Sequence, residues 1–578
     1  MRKIQYILAV FTALAMLLSF AACGSTPASE QASSITPPEQ TEAVPTPEPP
    51  EADPVVPASS AEEVSTMEAV DTPEETPTFV SLDLPLTEEP VTLEMWASES
   101  PMLSAYGLKM QDLSFYHEME KRTGVTLDIT SVSFFTASDN FNLLMASGDY
   151  PDMIDSFQRF YTKSADNAID EGIIVDLQDY LEEYMPNYKA ALDSDQSFWL
   201  DSLTQSGALP SANMLFAVSE GPSKGLMIRE DWLEECGLEI PSDYDDMEQV
   251  LEAFKNKYSV AAMALDTNGQ SIGISAGLTV RELNTMDPSQ AAFLNVDGVV
   301  SYCPATEGYR EYLDMVHDWY EKGYIWKDFV SEGNNNQNYV LSGQLGVVTG
   351  IKDGLDSMTS SLQEFEPDAS VIAIKALRKD PEEVLKVRNY VENVIYGTAV
   401  TASCENKELA CRWLDYCYSP EGQILTNYGI EGEGLQYDEN GNPEYTDLVL
   451  HNEIYNGTFA CSVYSQYGGS MLCYSDRTFP AFSDRVLDAL ACWDFDTQEW
   501  MYPTKVTMST EQGEEYNNIV NDLNSYVAEM TLKFIVGDAV LDDSSWDEYI
   551  GDLESMGLEQ CVSIKQEALD SYLSMAQQ

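Results

Sequence analysis

Positive charge is what this sequence has least of. Its 578 residues carry 29 Lys+Arg against 98 Asp+Glu, a formal net charge of −69 at pH 7. Such a surface repels phosphate backbones and anionic headgroups, which argues against nucleic-acid binding and adsorption to anionic lipid. Histidine is also scarce. His117, His317 and His451 are the three present, which leaves little room for imidazole acid/base or metal chemistry. Ten cysteines occur, but none stands in a C-x-x-C pair, so the clustered thiolates of a zinc site are missing. No metal and no cofactor is expected. Apart from Cys23, the cysteines (Cys236, Cys303, Cys404, Cys411, Cys417, Cys461, Cys473, Cys492, Cys561) read as small buried hydrophobes. A Cys461–Cys473 disulfide stays open as an alternative in an exported protein. Neither a G-x-x-x-x-G-K-[ST] phosphate loop nor a G-x-G-x-x-G turn is found, so any ATP must be used by a partner. After the first twenty residues no apolar run is long enough to span a membrane.

What is present begins with a targeting device. Met1-Arg2-Lys3 supplies positive charge, Ile4 to Phe20 is an apolar run with only brief polar interruptions, and Ala21-Ala22-Cys23 is a small-residue junction, so residues 1–22 read as a signal peptide. The junction resembles the bacterial lipobox, with Phe20 where Leu is usual. That resemblance implies diacylglycerol on Cys23, and two acyl chains anchor a protein stably. An ordinary signal peptide or an uncleaved anchor is the bland alternative. Residues 24–90 hold 13 of the 27 prolines and 15 acids, with Phe79 their one aromatic residue. A segment like this cannot bury enough apolar surface to offset its ordering entropy, so 23–90 is expected to be a disordered, extended tether.

From Val91 the pattern becomes α/β. Val91–Trp96 alternates as a strand, a helix near 111–122 is stopped by Gly124, and a second strand follows at 125–130. A helix near 138–146 then leads to a short apolar segment at Met153-Ile154. Strands alternating with helices at this spacing indicate a parallel sheet. Ligands bind such sheets beyond the carboxyl ends of the strands, which points to Trp96, Phe134, Phe135, Asp155 and Phe157. Trp232, Trp319, Trp413 and Trp546 sit at core positions of helical patterns, and Asp231 reads as an N-cap with Gly237 as the stop. Asn440-Gly441 is a hairpin turn signal. Its Asp-x-Asn-x-Asn loop lacks the carboxylate a calcium loop needs at position twelve, where Val449 stands.

Several stretches in order resemble one family. They are SGDYPDMI, IIVDLQDYLEEYMPNY, LMIREDWLEECGLEIPSDYDDMEQVLEAF, VDGVVSYCPATEGYREYLDMVHDWYEKGYI, LACRWLDYCYSPEGQILTNYGIEGEG and the C-terminal FIVGDAV. Together they are similar to the extracellular solute-binding lipoproteins of ABC importers, in particular the large subgroup that binds alginate or pectin fragments. The resemblance implies an α/β, two-lobe periplasmic-binding-protein-like (type II, hinge-closing) fold over 91–578. Lobe 1 would take mainly 91–220 and about 345–395, and lobe 2 mainly 221–344 and 396–578, with crossings near 210–228, 335–350 and 385–400. It also implies a monomer on the extracellular face of the bacterial membrane, with ABC permease subunits as partners and a carbohydrate, an oligosaccharide, as ligand. Relatives often carry a calcium loop in the second lobe, but Leu265–Gln270 here is too short for one.

Candidate ligand-binding residues are Trp96, Asp155, Phe157, Trp199, Arg229, Tyr339, Glu431 and Trp493. Aromatic faces suit sugar C–H surfaces and polar groups suit hydroxyls. A peptide ligand, or a sensor or adhesin role, would use the same anchor, tether and body. Enzyme readings are weaker. Gly273-Ile-Ser-Ala-Gly277 matches G-x-S-x-G without the strand that motif needs before it, and no local signature marks a glycoside hydrolase pair. No catalytic residue is assigned.

Overall fold

Why one chain should build two sheets is answered by its strand order. The computed structural model describes residues 77–218, 221–222, 224–266, 293–332, 336–379, 393–455, 457–466, 468–493, 502–503 and 505–575. The chain lays down β1 (Val91–Glu99), β2 (Val125–Ser133), β3 (Met153–Asp155) and β4 (Ala212–Val218), then passes to β5 (Lys224–Arg229), β6 (Val347–Ile351) and β7 (Val371–Ile374). It returns for β8 (Val394–Val400) and β9 (Met471–Tyr474). The first sheet has the order β9-β4-β8-β3-β1-β2 and the second β6-β5-β7. β1 is parallel to β2 and β3, and β9 is parallel to β4. β8 alone runs antiparallel to its neighbours β3 and β4. β4 and β9 therefore end at the same edge as β1, β2 and β3, and β8 begins there. All three passages between the sheets use that carboxyl edge, so the second sheet faces the open ends of the first.

Separate cores follow on the two sheets. Helices over Ser114–Thr123, Pro186–Asp193, Lys407–Tyr416 and Pro420–Tyr428 cover the first sheet, and Leu93, Met153, Leu215, Val400 and Trp413 form its interior. The second core gathers Leu226, Trp232, Phe254, Trp319, Leu523 and Leu569, drawing on the long C-terminal helices Thr510–Val536 and Leu558–Met575. The helix-pattern tryptophans Trp232, Trp319, Trp413 and Trp546 are all buried, as their spacing implies. The nine cysteines from Cys236 onward are all free, so Cys461 and Cys473 are not bridged.

Several boundaries differ from expectation. Residues 77–90 are not part of a tether. Leu86 is buried, the Val80 N–H donates to Asn187 Oδ1 at 2.7 Å, and Arg412 Nη1 donates to the Leu86 carbonyl at 3.1 Å. Composition alone concealed Phe79, Leu82 and Leu86, the apolar residues that seat this stretch on the first core. Residues 345–379, expected in lobe 1, carry β6 and β7 and pair with β5, so they belong to the second lobe. Residues 393–482, mostly expected in lobe 2, carry β8 and β9 and belong to the first. No crossing lies near 335–350. The unforeseen third one follows β9 and leads to the helix Asp484–Trp493, which packs on β7 and β5. Asp231 is not an N-cap. It lies in the first turn of Glu230–Cys236, behind Arg229, while Gly237 does end that helix with φ 68°. Leu265–Gln270 and Gly273–Gly277 fall largely outside the described residues.

Two buried contacts hold the lobes' interiors. In the first, Asp415 accepts from the Asn187 N–H, the Tyr188 N–H and Asn187 Nδ2, each at 2.8 Å, tying helix Lys407–Tyr416 to the start of Pro186–Asp193. Burial outweighs these donors and pushes its carboxyl up to about 6. In the second, Trp493 is 1% exposed and donates its Nε1–H to the Leu226 carbonyl at 3.1 Å. A Cβ on Gly225 would lie 2.4 Å from its indole, so the ring can close over β5 only because residue 225 is glycine.

Both contacts are testable. The native state keeps the Asp415 proton to higher pH than an unfolded Asp near 3.9, so its contribution is full below about pH 4 and declines as pH rises to about 6. Asp415→Asn should lose about 1–3 kcal/mol through an imperfectly satisfied site and should lack that slope in chemical unfolding; parallel pH profiles for the two proteins would contradict the assignment. Trp493→Ala should cost about 3–5 kcal/mol in a thermal melt, with Gly225→Ala also lowering the midpoint. An unchanged midpoint for both would mean that Trp493 does not anchor the crossing.

Candidate functional site

The carboxyl edge of the first sheet carries the features of a site. Just past β3, Ser156 takes φ 53°, a left-handed conformation that is costly for a residue with a Cβ and is often kept at functional turns. The turn sends residues 157–170 along the edge toward the second lobe. In β8 the register shifts between Ile395 and Thr398, and a Cβ on Gly397 would lie 1.8 Å from the Ala212 carbonyl oxygen. Glycine there lets β8 press against β4. Bulges of this kind re-aim the neighbouring side chain, and here the neighbour is Tyr396.

A cavity of about 330 Å3 lies where these segments meet the second lobe. From the first lobe it is lined by Gln158, Tyr161, Thr162, Lys163, Ser164, Asp166, Thr204 and Tyr396, and from the second by Thr507, Ser509, Thr510, Gly513, Glu514 and Asn517. The second-lobe wall is the beginning of helix Thr510–Val536, where Ser509 and Gln512 form a reciprocal capping box. Hydroxyl groups cross the gap beside it. Ser164 Oγ and Thr510 Oγ1 are 3.3 Å apart, and Thr510 also donates to Asn167 Oδ1. Lys505 stands with its Nζ 3.7 Å from the Tyr396 ring centroid, a cation–π contact between lobes.

Fixed partners orient the wall. Ser211 Oγ donates to Gln158 Oε1 at 2.6 Å, and Asp166 Oδ1 accepts from Thr204 Oγ1 at 2.5 Å and Ser206 Oγ at 2.6 Å. Lys163 pairs with Glu171 at 2.7 Å. Burial, helped by the Glu171 carboxylate, pushes the Tyr161 phenol up, so it remains a donor at neutral pH. Two phenol rings beside hydroxyls, amides and two carboxylates can pack on a ring's C–H face and exchange hydrogen bonds with its hydroxyls.

The residues singled out from sequence are not brought together here. Trp96 lies three residues inside β1, 3% exposed, edge-to-face with Phe141 at 5.6 Å and Phe160 at 5.5 Å. Phe157 is buried and stacks on Tyr161 at 4.9 Å, which makes it the support of a wall residue. Asp155 turns inward, accepting from Ser156 Oγ at 3.0 Å and Thr398 Oγ1 at 3.2 Å, and burial pushes its carboxyl up. Trp199 donates to Asp193 Oδ1 at 2.9 Å on the outside of the first core. Arg229 is 1% exposed and held by Asp231 and Glu366, at the end of β5 away from the crossings. Tyr339 packs on Trp326, 5.0 Å between centroids. Glu431 is exposed on a turn, and Trp493 is the β5 anchor. Burial leaves Trp96, Phe157, Arg229 and Trp493 without a face for a ligand in this arrangement.

The wall residues went unread because Tyr161-Thr-Lys-Ser164 and Met508-Ser-Thr510 have the composition of ordinary loops. The hydrogen-bonding loop of Asp438 is also resolved. Asp438 accepts from the Asn440 and Asn442 amides, both at 2.8 Å, so the carboxylate organises its own hairpin turn.

Comparison with known proteins agrees with this architecture. Residues 101–424 match the family of bacterial extracellular solute-binding proteins. Over 523 residues the chain is 24% identical to the fructooligosaccharide ABC transporter substrate-binding protein FusA of Streptococcus pneumoniae, covering 84% of this chain and 91% of that one. Lipoprotein LipO of Bacillus subtilis is 26% identical over 348 residues, 58% of this chain and 66% of its own. Among solved structures, the alginate-binding protein AlgQ2 superposes with a TM-score of 0.66 at 20% identity, covering 85% of this chain and all of AlgQ2. With two α/β lobes joined by three crossings, and with more than half its length matched, the chain belongs to the bacterial extracellular solute-binding protein family.

Proposed function

We propose that this protein captures an oligosaccharide in the cavity between its lobes and delivers it to the permease of an ABC importer. The observation that carries this is the cavity wall, in which Tyr161 and Tyr396 face hydroxyl and amide side chains from both lobes. The names of FusA and AlgQ2 support a saccharide as the ligand class. The lobes would part about the three crossings and close on the ligand, the closed state being selected by contacts that only the closed lobes make. Ser164–Thr510 and Lys505–Tyr396 join the two lobes at the cavity. The role is binding rather than hydrolysis. Of the two carboxylates in the wall, Asp166 is engaged by Thr204 and Ser206.

The body would stand on the outer face of the membrane, held by lipid on Cys23 after removal of residues 1–22. Support for this is the Ala21-Ala22-Cys23 junction following an apolar run, together with the name of LipO. Residues 24–76 would serve as the tether, since their proline and acid content disfavours a core.

Two experiments test these readings. In calorimetry against fructo-, galacturono- and alginate-derived oligosaccharides and a peptide library, one saccharide class should bind. Tyr396→Ala should then weaken it by about 1–3 kcal/mol, by analogy with stacking of bases on aromatics, with little change in melting temperature; peptide binding without saccharide binding would replace the reading. In cells fed a labelled fatty acid, wild type should incorporate label and Cys23→Ala should not. Equal labelling would remove the anchor.

A further inference from the structure

We infer that the ligand runs out of the cavity along a second subsite, a shelf made by Phe134, Phe135 and Arg159 at the carboxyl end of β2. This rests on the oligosaccharide reading and specifies how long a ligand the site is built for. At about 330 Å3, the cavity is at the floor of the range for small-molecule sites, roughly 300–1,000 Å3, so a ligand of several sugar units must extend beyond it. The strand order says where. The crossings meet the first sheet at β4, β8 and β9, toward one end of it, whereas β1 and β2 lie at the other. A chain leaving the cavity at β3 and β8 reaches the mouth of the cleft by passing over the ends of β1 and β2.

The shelf is built for such a passage. Phe135 is 78% exposed, and single exposed apolar residues need no explanation, but this one is not single. Phe134 meets it edge-to-face, 5.8 Å between centroids, and the Arg159 guanidinium lies 5.0 Å from the Phe134 ring and 5.7 Å from that of Phe160. Arg159 follows directly on Gln158 in the cavity wall. It is exposed, and among the described residues no carboxylate forms an ion pair with it, in a chain where acids outnumber bases 98 to 29. Its planar fork is held over aromatic rings, and among the described residues no hydrogen bond takes up its donors. An exposed ring beside an oriented donor fork suits the C–H face and the hydroxyls of one sugar unit.

The test is a chain-length ladder. Immobilised fructan, galacturonan, alginate, mannan and xylan oligosaccharides, each from disaccharide to hexasaccharide, are titrated with wild type, Phe135→Ala and Arg159→Met. Wild-type affinity should rise with length on the ladder that binds. Both variants should match wild type on the disaccharide and lose on the order of tenfold on the longer members, the scale of one lost stacking contact. Weakening by the same factor at every length, or no weakening at any length, would overturn the shelf while leaving the cavity reading intact. If no ladder binds wild type, the oligosaccharide reading falls and the shelf with it. Because Phe135 is exposed, melting temperatures should be unchanged, and a lowered one would count with the uniform loss.

Discussion

One reversed strand governs the rest of this structure. Because β8 runs antiparallel between β3 and β4, the chain leaves and re-enters the first sheet at a single edge. That edge is also where the parallel strands β1, β2 and β3 end, the position at which open α/β sheets bind ligands. Joining the second lobe through the same edge sets it opposite the strand ends, and a space between lobes follows from topology before any side chain is considered. The close approach of β8 to β4, possible through Gly397, also turns Tyr396 into that space.

The energetics fit a pair of lobes that can separate. Each sheet has its own apolar interior, and the described contacts between the lobes include several polar ones: Ser164 with Thr510, Gln205 with Gln512, and Tyr572 with Asp201. Such bonds exchange for water at a net cost of about 1 kcal/mol each, far less than opening a core. The firm attachments lie elsewhere, in Trp493 on β5 and Asp415 beneath the first sheet. Rigid halves with a soft seam are what hinge closure requires.

Much of this was legible in the sequence, for physical reasons. The α/β alternation, the Gly124 and Gly237 helix stops, the Asn440-Gly441 turn and the four core tryptophans all follow from local periodicity and turn chemistry, and local rules survive folding. Strand pairing is non-local. Nothing in Val347–Ile351 or Val371–Ile374 says that these strands join β5 rather than β1, so the lobe assignment of 345–379 inverted. The candidate ligand residues lie apart from the cavity for a related reason. Tryptophan suits sugar stacking, but it also has the largest apolar surface to bury, and among the described residues every tryptophan is at least half-buried. The wall fell instead to Tyr161, Tyr396 and a set of Ser and Thr residues in turns. Phe134 and Phe135 were correctly placed at a strand end because that inference needed only the end of a strand pattern.

The central claim is that ligand sits between residues 157–170 and 505–517. Hydrogen–deuterium exchange with and without the saccharide found by screening tests it most directly, since it reads both walls at once. Binding should slow exchange in those two segments together, with little change at Glu431 or Tyr339. Slowing confined to one lobe, or centred away from both segments while the saccharide is bound, would contradict the account.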